Sequence, residues 1–192
     1  MSIAISEHAE IFHVPYGSPN NEGTPDGSYV DIKANPEWIF VLPSCIGWPE
    51  IQRLLRFINV PFTPLMSLAA DQGFANTENP ARPIALTSFV ILCLADILSN
   101  SKPTITNLAN FLKDHLSDEI QNIANRQKRK LYLQVRLEIQ PTLFHHHHFE
   151  GWSLMVLIAA SEQDERQARQ TWIFGLQALE QATTHYPGPK GD

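Results

Sequence analysis

Hydrophobic and polar residues alternate most regularly over residues 131–140. Every second position there is Leu, Val or Ile, and the positions between them carry polar residues or Tyr132. Because successive side chains of a strand point to opposite faces, this pattern predicts a half-buried β-strand that ends at Pro141. A nearly continuous apolar run over residues 152–160 predicts a second strand in the interior of the same sheet.

Apolar residues at helical spacing predict helices on both sides of these strands. After Pro49, four apolar residues lie three or four positions apart and form one stripe. They are Ile51, Leu54, Leu55 and Ile58. Ser161 and Asp164 have the spacing of a capping box, so a last helix is expected to run to about His185. The residues that it is predicted to bury are Ala168, Trp172, Leu176 and Leu179.

The middle of the chain is predicted to be helical. Residues 84–99 are apolar on nearly all sides, which favours a central buried helix. Two further helices are expected over residues 104–116 and 117–130, with Ser117 as the N-terminal cap of the second. A continuous aromatic and β-branched run over residues 38–42 predicts a buried strand nearer the N-terminus.

Segments rich in Pro, Gly and Asn separate these elements. They predict a mobile loop at about residues 15–37, a polar loop at residues 71–83 and a frayed tail at residues 187–192. The resulting fold class is α+β, with a helical middle, a short sheet and a closing strand–strand–helix unit at the C-terminus. A length of 192 residues suits a single globular domain over residues 1–192.

Composition narrows the class of protein. Apolar residues make up 43% and charged residues 18% of the chain, as in globular proteins. Two cysteines are too few for a disulfide framework, and no secretory signal is visible. The apolar runs are far shorter than the ~20 residues of a membrane span. We therefore expect a soluble, cytoplasmic protein with no membrane partner.

Positive charge is concentrated in one stretch. Residues 102–136 hold seven Lys and Arg against three acids, a balance of +4, whereas the rest of the chain has a balance of −10. The basic residues that end the predicted helices are Arg126, Lys128, Arg129 and Lys130. Three helices followed by a strand have the outline of a winged helix-turn-helix over residues 84–140, in which these residues would contact phosphates. Alternatively, they complement the dipole at a helix C-terminus.

Four consecutive histidines form the most unusual motif. They are His145, His146, His147 and His148, followed by Phe149 and Glu150. If the segment is extended, alternate histidines share a face, and a His-x-His pair with Glu150 suits Zn²⁺ or another divalent transition metal. The alternative is a solvated hairpin tip between the two predicted strands. No further cofactor is expected.

Cys45 stands between a predicted strand and the helix that follows Pro49. A helix N-terminus stabilises a nearby thiolate, which would make Cys45 a reactive thiol. No Cys-x-x-Cys pair accompanies it, since Trp48 takes the place of the second cysteine. The competing interpretation is a buried packing cysteine.

These patterns favour a protein that is not an enzyme. The sequence has no phosphate-binding glycine loop, no Gly-x-Ser-x-Gly and no His-Glu-x-x-His motif. The leading hypothesis is a regulatory or protein-interaction protein that forms a homo-oligomer or binds a protein partner. One alternative is a nucleic-acid-binding regulator that uses the winged-helix-like segment. The other is a metal-binding protein or metalloenzyme that uses the histidine run.

Overall fold

The computed structural model describes residues 1–14, 31–144 and 147–189, which form strands and helices in mixed order. The strands are β1 (Ser2–Glu7), β2 (Phe12–Val14), β3 (Leu65–Asn76), β4 (Ile84–Leu94), β5 (Leu133–Phe144) and β6 (Phe149–Glu162). The α-helices are α1 (Pro49–Ile58), α2 (Lys102–Gln127) and α3 (Glu165–Thr184). Short 3₁₀ helices at Pro36–Phe40, Pro43–Cys45 and Ile97–Ser99 lie in the connections.

The described strands belong to one mixed sheet. Its order is β1-β5-β6-β4-β3, and β2 pairs with the far end of β5 along the same edge as β1. β1 and β2 run parallel to β5, whereas the β5–β6, β6–β4 and β4–β3 pairs are antiparallel. A six-stranded mixed sheet combined with α-helices confirms the α+β class.

The clearest sequence patterns correspond to real elements. Residues 133–140 of the alternating run lie in β5, the second apolar run lies in β6, and the two strands form a hairpin. β5 does not end at Pro141 as predicted, since Pro141 pairs with Trp152 and the strand continues to Phe144. The apolar stripe after Pro49 belongs to α1, and its four residues are buried. The last helix is α3, in which the four predicted residues are also buried. Its N-terminal cap is Asp164, whose Oδ1 accepts from the Gln167 N–H.

The prediction of a central helix over residues 84–99 is wrong. Most of this segment is β4, which lies between β6 and β3. Leu92 and Leu94 belong to the core beneath the helices, whereas Ile91 and Cys93 belong to a second apolar cluster on the opposite face of the sheet. Burial on both faces removes the alternation of apolar and polar residues, so the strand resembles a buried helix in sequence.

A hairpin of β3 and β4 replaces the polar loop predicted at residues 71–83. β3 extends to Asn76, which pairs with Ile84 at the start of β4. Residues 77–83 form the turn, and the Thr77 hydroxyl donates to the Arg82 carbonyl across it. The turn brings the Arg82 guanidinium over the ring of Tyr132, just before β5.

α2 is one helix of 26 residues instead of the two that were predicted. Ser117, the expected cap, lies inside it, and its Oγ donates to the Lys113 carbonyl one turn earlier. A serine that bonds to the carbonyl four residues before it is accommodated within a helix and does not begin a new one. The cap of α2 is Ser101, whose Oγ accepts from the Thr104 N–H.

Other connections also differ from the prediction. Residues 38–42 were predicted to form a strand, but residues 38–40 belong to a 3₁₀ helix over Pro36–Phe40. The helix begins with a proline. Of the predicted loop and tail, residues 15–30 and 190–192 lie outside the described residues. Within the described part of the tail, Gly188 is buried beside Pro64.

α3 lies at the centre of the helical layer. α2 packs against one side of it, above β1, β5 and β6, and α1 packs against the same helix above β3. Trp172 of α3 is fully buried, and its indole Nε1 donates to the Ser88 Oγ in β4 at 2.8 Å. The apolar core runs between these helices and the sheet, with members from Ile32 to Tyr186.

Gly175 lets α3 approach the sheet closely. A Cβ atom built at this position would lie 2.7 Å from Ile158 Cγ2 and 3.1 Å from Leu133 Cδ1. We predict that Gly175→Ala lowers the free energy of unfolding by ~1–3 kcal/mol, the usual effect of overpacking a core. Gly73→Ala is the matched control, since nothing lies within 4 Å of a Cβ atom there. Urea unfolding measures both variants, and equal stability would contradict the prediction.

Candidate functional sites

The residues predicted to form a winged helix do not form one. β4 stands where the first helix was expected, the second and third helices are joined in α2, and the expected wing is β5, a strand paired on both sides. The basic residues lie instead at the C-terminal end of α2 and in its connection to β5. The local excess of positive charge that the sequence indicates is present. A helix end and the connection after it carry this charge, instead of a winged helix.

A cavity of about 560 Å³ opens beside the C-terminal end of α2. Lys128, Arg129 and Lys130 line it, whereas Arg126 does not. The other lining residues are polar or apolar and include no Asp or Glu: Met1, Ile120, Gln121, Ala124, Asn125 and Leu131. Three of the four predicted basic residues therefore share one concave surface.

Lys128 ends α2 and begins this basic segment. Its backbone is left-handed, with φ at 50°, and its N–H donates to the carbonyls of Ala124 and Asn125. Two residues later, the Lys130 Nζ lies 5.2 Å from the centre of the Tyr132 ring. Within residues 1–14, 31–144 and 147–189, neither lysine forms an ion pair.

Arg129 has a structural partner. Its Nη2 donates to the Thr171 Oγ1 of α3 at 2.9 Å, and Thr171 in turn donates to the Glu162 Oε1 at 2.7 Å. Its guanidinium carbon also lies 5.7 Å from the centre of the Phe174 ring. Arg129 therefore ties the end of α2 to α3, which leaves Lys128 and Lys130 as the more accessible cations.

A second cavity, of about 350 Å³, lies next to the first, and Met1 lines both. Its lining includes Arg82 and Tyr132 but no Asp or Glu. The Arg82 guanidinium carbon lies 3.1 Å from the centre of the Tyr132 ring. We refer to the two cavities, with Arg82, Lys128, Arg129, Lys130 and Tyr132, as the basic groove. Sequence reasoning misses Arg82, since it lies far before the basic stretch and no local pattern links the two.

The histidine run lies between β5 and β6, but two of its members, His145 and His146, are outside the described residues. His147 and His148 are exposed in the connection, and Glu150 is exposed in β6. The described part of the chain contains no group of three or more His, Cys, Asp or Glu side chains arranged to hold a metal ion. A metal site at this run stays a prediction.

Cys45 is fully buried in the 3₁₀ helix Pro43–Cys45. Burial raises the pKa of its thiol to about 11. Cys93 is also buried, in β4, and burial raises the pKa of that thiol as well. Both environments disfavour the thiolate, the opposite of what a reactive cysteine needs. The structure therefore favours the packing interpretation of Cys45.

Large apolar side chains are exposed around α1. Phe62, which follows the helix, is 87% exposed, and Ile46, which precedes it, is 65% exposed. Phe40 is 57% exposed and lies beside the helix, since the Arg56 guanidinium carbon is 5.8 Å from the centre of its ring. No local pattern in the sequence marks these positions, because an exposed phenylalanine and a buried one look alike there.

The outer side of α1 also carries a concave region. A cavity of about 330 Å³ is lined by Pro49, Gln52, Arg53, Arg56, Phe57 and Val60. We refer to this cavity, with Phe40, Ile46 and Phe62, as the α1 surface. Arg53 is neutralised by Glu180 of α3, whose Oε1 lies 2.8 Å from the Arg53 Nη2. The α1 surface is therefore mostly apolar, and Arg56, which lies over the Phe40 ring, is the cation in its lining that has no ion pair among the described residues.

No protein-family model, curated protein or solved structure matches this chain. Among the described helices, none has both the length and the apolar character that crossing a membrane requires. The basic groove and the α1 surface are the features from which a function can be inferred.

We predict that neither thiol reacts rapidly in the native protein. With its pKa at about 11, the Cys45 thiol is almost entirely protonated at pH 8, and the thiolate is the reactive form. Ellman's reagent should therefore titrate far less than one thiol in native protein within minutes, and both thiols after unfolding in guanidinium chloride. Rapid release of one equivalent before denaturant is added would contradict this expectation.

Proposed function

We propose that the protein acts by binding, without an enzymatic reaction, and that the α1 surface joins two copies of this chain. The observation that carries the proposal is the exposure of Phe62, Ile46 and Phe40 around one helix. These three side chains lie at the two ends of α1 and beside it. Exposed apolar side chains of this size mark interaction sites, because their contact with water is unfavourable. A partner that covers them removes that contact.

The exposed residues are of the types that contribute most to protein interfaces. Aromatic side chains and arginine are enriched among the residues whose truncation costs the most binding free energy. Phe62 offers a large apolar area for burial. Arg56 lies over the Phe40 ring, so that an aromatic group and a planar cation form one contact surface. This combination supports a protein partner.

The charge of the α1 surface supports a second copy of the chain as that partner. In a dimer with two-fold symmetry the same surface faces itself, so a high net charge would cause repulsion. Arg53 is paired with Glu180, and the neighbouring Arg169 is paired with Glu50, each at 2.8 Å. These pairs reduce the positive charge that would otherwise meet its symmetry mate.

The α1 surface is also held in place before binding. The inner side of α1 is buried in the core. The turn that carries Phe62 is held by Lys33, whose Nζ donates to the carbonyls of Val60, Thr63 and Leu65 at 2.8–3.0 Å. A surface that is ordered in the free protein loses less conformational entropy on association. The exposed side chain of Phe62 is therefore presented from a fixed backbone.

Phe62→Ser tests the proposal. Sedimentation equilibrium should show the wild-type protein as a dimer with a dissociation constant in the micromolar range. In a two-fold dimer the substitution removes the aromatic anchor from both copies, so a loss of ~2 kcal/mol for each copy should raise that constant roughly 1,000-fold. Phe62 is already exposed in one copy, so the melting temperature should remain close to that of the wild type.

Ile11→Ser is the matched control. Ile11 is also a large apolar residue and is 59% exposed, but it lies beside β2, at the edge of the sheet opposite to β3. Its replacement should leave the dissociation constant within about threefold of the wild-type value, as expected outside an interface hot spot. A wild-type protein that stays monomeric at high concentration, or equal weakening by both substitutions, would refute the proposal.

A further inference from the structure

We infer that the basic groove binds nucleoside phosphates, with the phosphates on Lys128 and Lys130 and the ring system against Met1 and Ala124. This inference concerns a different surface from the proposed dimer contact and does not depend on it. The shared chemistry is a phosphate group joined to a flat, partly apolar ring. A free nucleotide and a single nucleic-acid strand both supply it.

Positive charge is in excess in the basic groove, where Glu162 reaches Arg129 only through the Thr171 hydroxyl. The chain has a net charge of −6, yet the linings of both cavities contain four basic residues and no Asp or Glu. Like charges that are gathered on a partly buried surface repel one another. An anionic ligand relieves this repulsion, and charge-assisted hydrogen bonds to phosphate are among the stronger polar contacts.

The helix dipole does not account for the whole cluster. Lys128, Arg129 and Lys130 follow the C-terminus of α2, where cations are favourable. Arg82, however, comes from the turn between β3 and β4, so the dipole gives no reason for its presence. Four cations from separate parts of the chain therefore line two cavities that share Met1, and this arrangement supports an anionic ligand.

The cations are already positioned in the free protein. The Tyr132 ring has the Arg82 guanidinium at 3.1 Å and the Lys130 Nζ at 5.2 Å, so one aromatic side chain holds cations from both cavities. The left-handed backbone of Lys128 fixes the point where the chain leaves α2. Preorganised donors lower the entropic cost of ligand binding.

The size and lining of the first cavity indicate more than a bare phosphate. Its volume of about 560 Å³ lies in the range typical of small-molecule sites. Met1 and Ala124 give it an accessible apolar part above the buried Ile120 and Leu131. Gln121 and Asn125 add amide groups that can donate and accept hydrogen bonds. Such a lining suits a sugar and base attached to the phosphates.

Two probes distinguish the sources of this chemistry. A fluorescent ATP analogue that carries an N-methylanthraniloyl group represents a free nucleotide, and a short fluorescein-labelled oligouridylate represents a single strand. Each is titrated with the full chain at low salt and followed by fluorescence anisotropy. Binding of the ATP analogue alone assigns a free nucleotide. Tighter binding of the oligouridylate, weakened by Arg82→Gln, assigns a strand that extends into the second cavity.

The test variant combines Lys128→Asn with Lys130→Gln. Asparagine tolerates the left-handed backbone at position 128, so the fold should be kept, as a melting temperature will show. Loss of two phosphate contacts should weaken binding at least ~10-fold. If the ligand is a strand, the slope of log Kd against log salt concentration should also fall by ~1.4, about 0.7 for each lost contact.

Arg126→Gln is the matched control, because Arg126 lies at the same helix end but does not line the cavity. It should change the affinity by less than about twofold, since only a distant, screened charge is lost. Three results would overturn the inference. They are binding of neither probe, equal weakening by Arg126→Gln and the double variant, and displacement of the ATP analogue as readily by inorganic tripolyphosphate as by unlabelled ATP.

Discussion

The position of α3 on the sheet determines where the α1 surface and the basic groove lie. Trp172 sets it, because its indole N–H donates to Ser88 in β4 and its ring meets the ring of Trp48 edge-on at 5.6 Å. Trp48 is the residue immediately before α1, so the same contact holds α1 in place. The adjacent Thr171 accepts the hydrogen bond from Arg129 at the end of α2. Neighbouring residues of one helix thus support the α1 surface and the basic groove.

The arrangement of the helical layer keeps the two surfaces apart. α1 lies above β3 and the end of α2 lies near β1 and β5, with α3 between them. A partner on one surface therefore does not need to displace a ligand from the other. The charges follow the same division, since the ion pairs of Arg53 and Arg169 reduce the charge near α1, whereas Lys128 and Lys130 have no such pairs among the described residues.

The sequence is most informative where one face of an element is buried and the other is not. β5 and α1 could be predicted for this reason, because their apolar residues repeat at strand and helix spacing. β4 could not, since Ile91 and Leu92 are buried on opposite faces. Ser117 was predicted to cap a helix but lies inside α2, where its hydroxyl donates to a carbonyl one turn earlier. The sequence does not distinguish these two roles of a serine.

The candidate sites also depend on contacts between distant parts of the chain, which local sequence patterns do not predict. Lys128, Arg129 and Lys130 stand out because they are consecutive, and the structure does place them in one cavity. Arg82 is far from them in the sequence. It comes near them because β3 pairs with β4 and β4 pairs with β6, which places the β3–β4 turn beside Tyr132. The exposure of Phe62 likewise depends on how α1 is docked. Tertiary packing decides both features, and no window of the sequence contains that information.

The parallel pairing of β1 with β5 has a consequence for folding during synthesis. Ser2 pairs with Gln134, so β1 has to wait during synthesis for a partner about 130 residues later. At a translation rate of about 5–20 residues per second, that interval is roughly 7 to 26 s. β1 is six residues long and alternates Ile3 and Ile5 with serine and alanine, which gives the waiting segment little apolar surface. A short, weakly hydrophobic first strand is suited to remaining unpaired on the nascent chain without promoting aggregation.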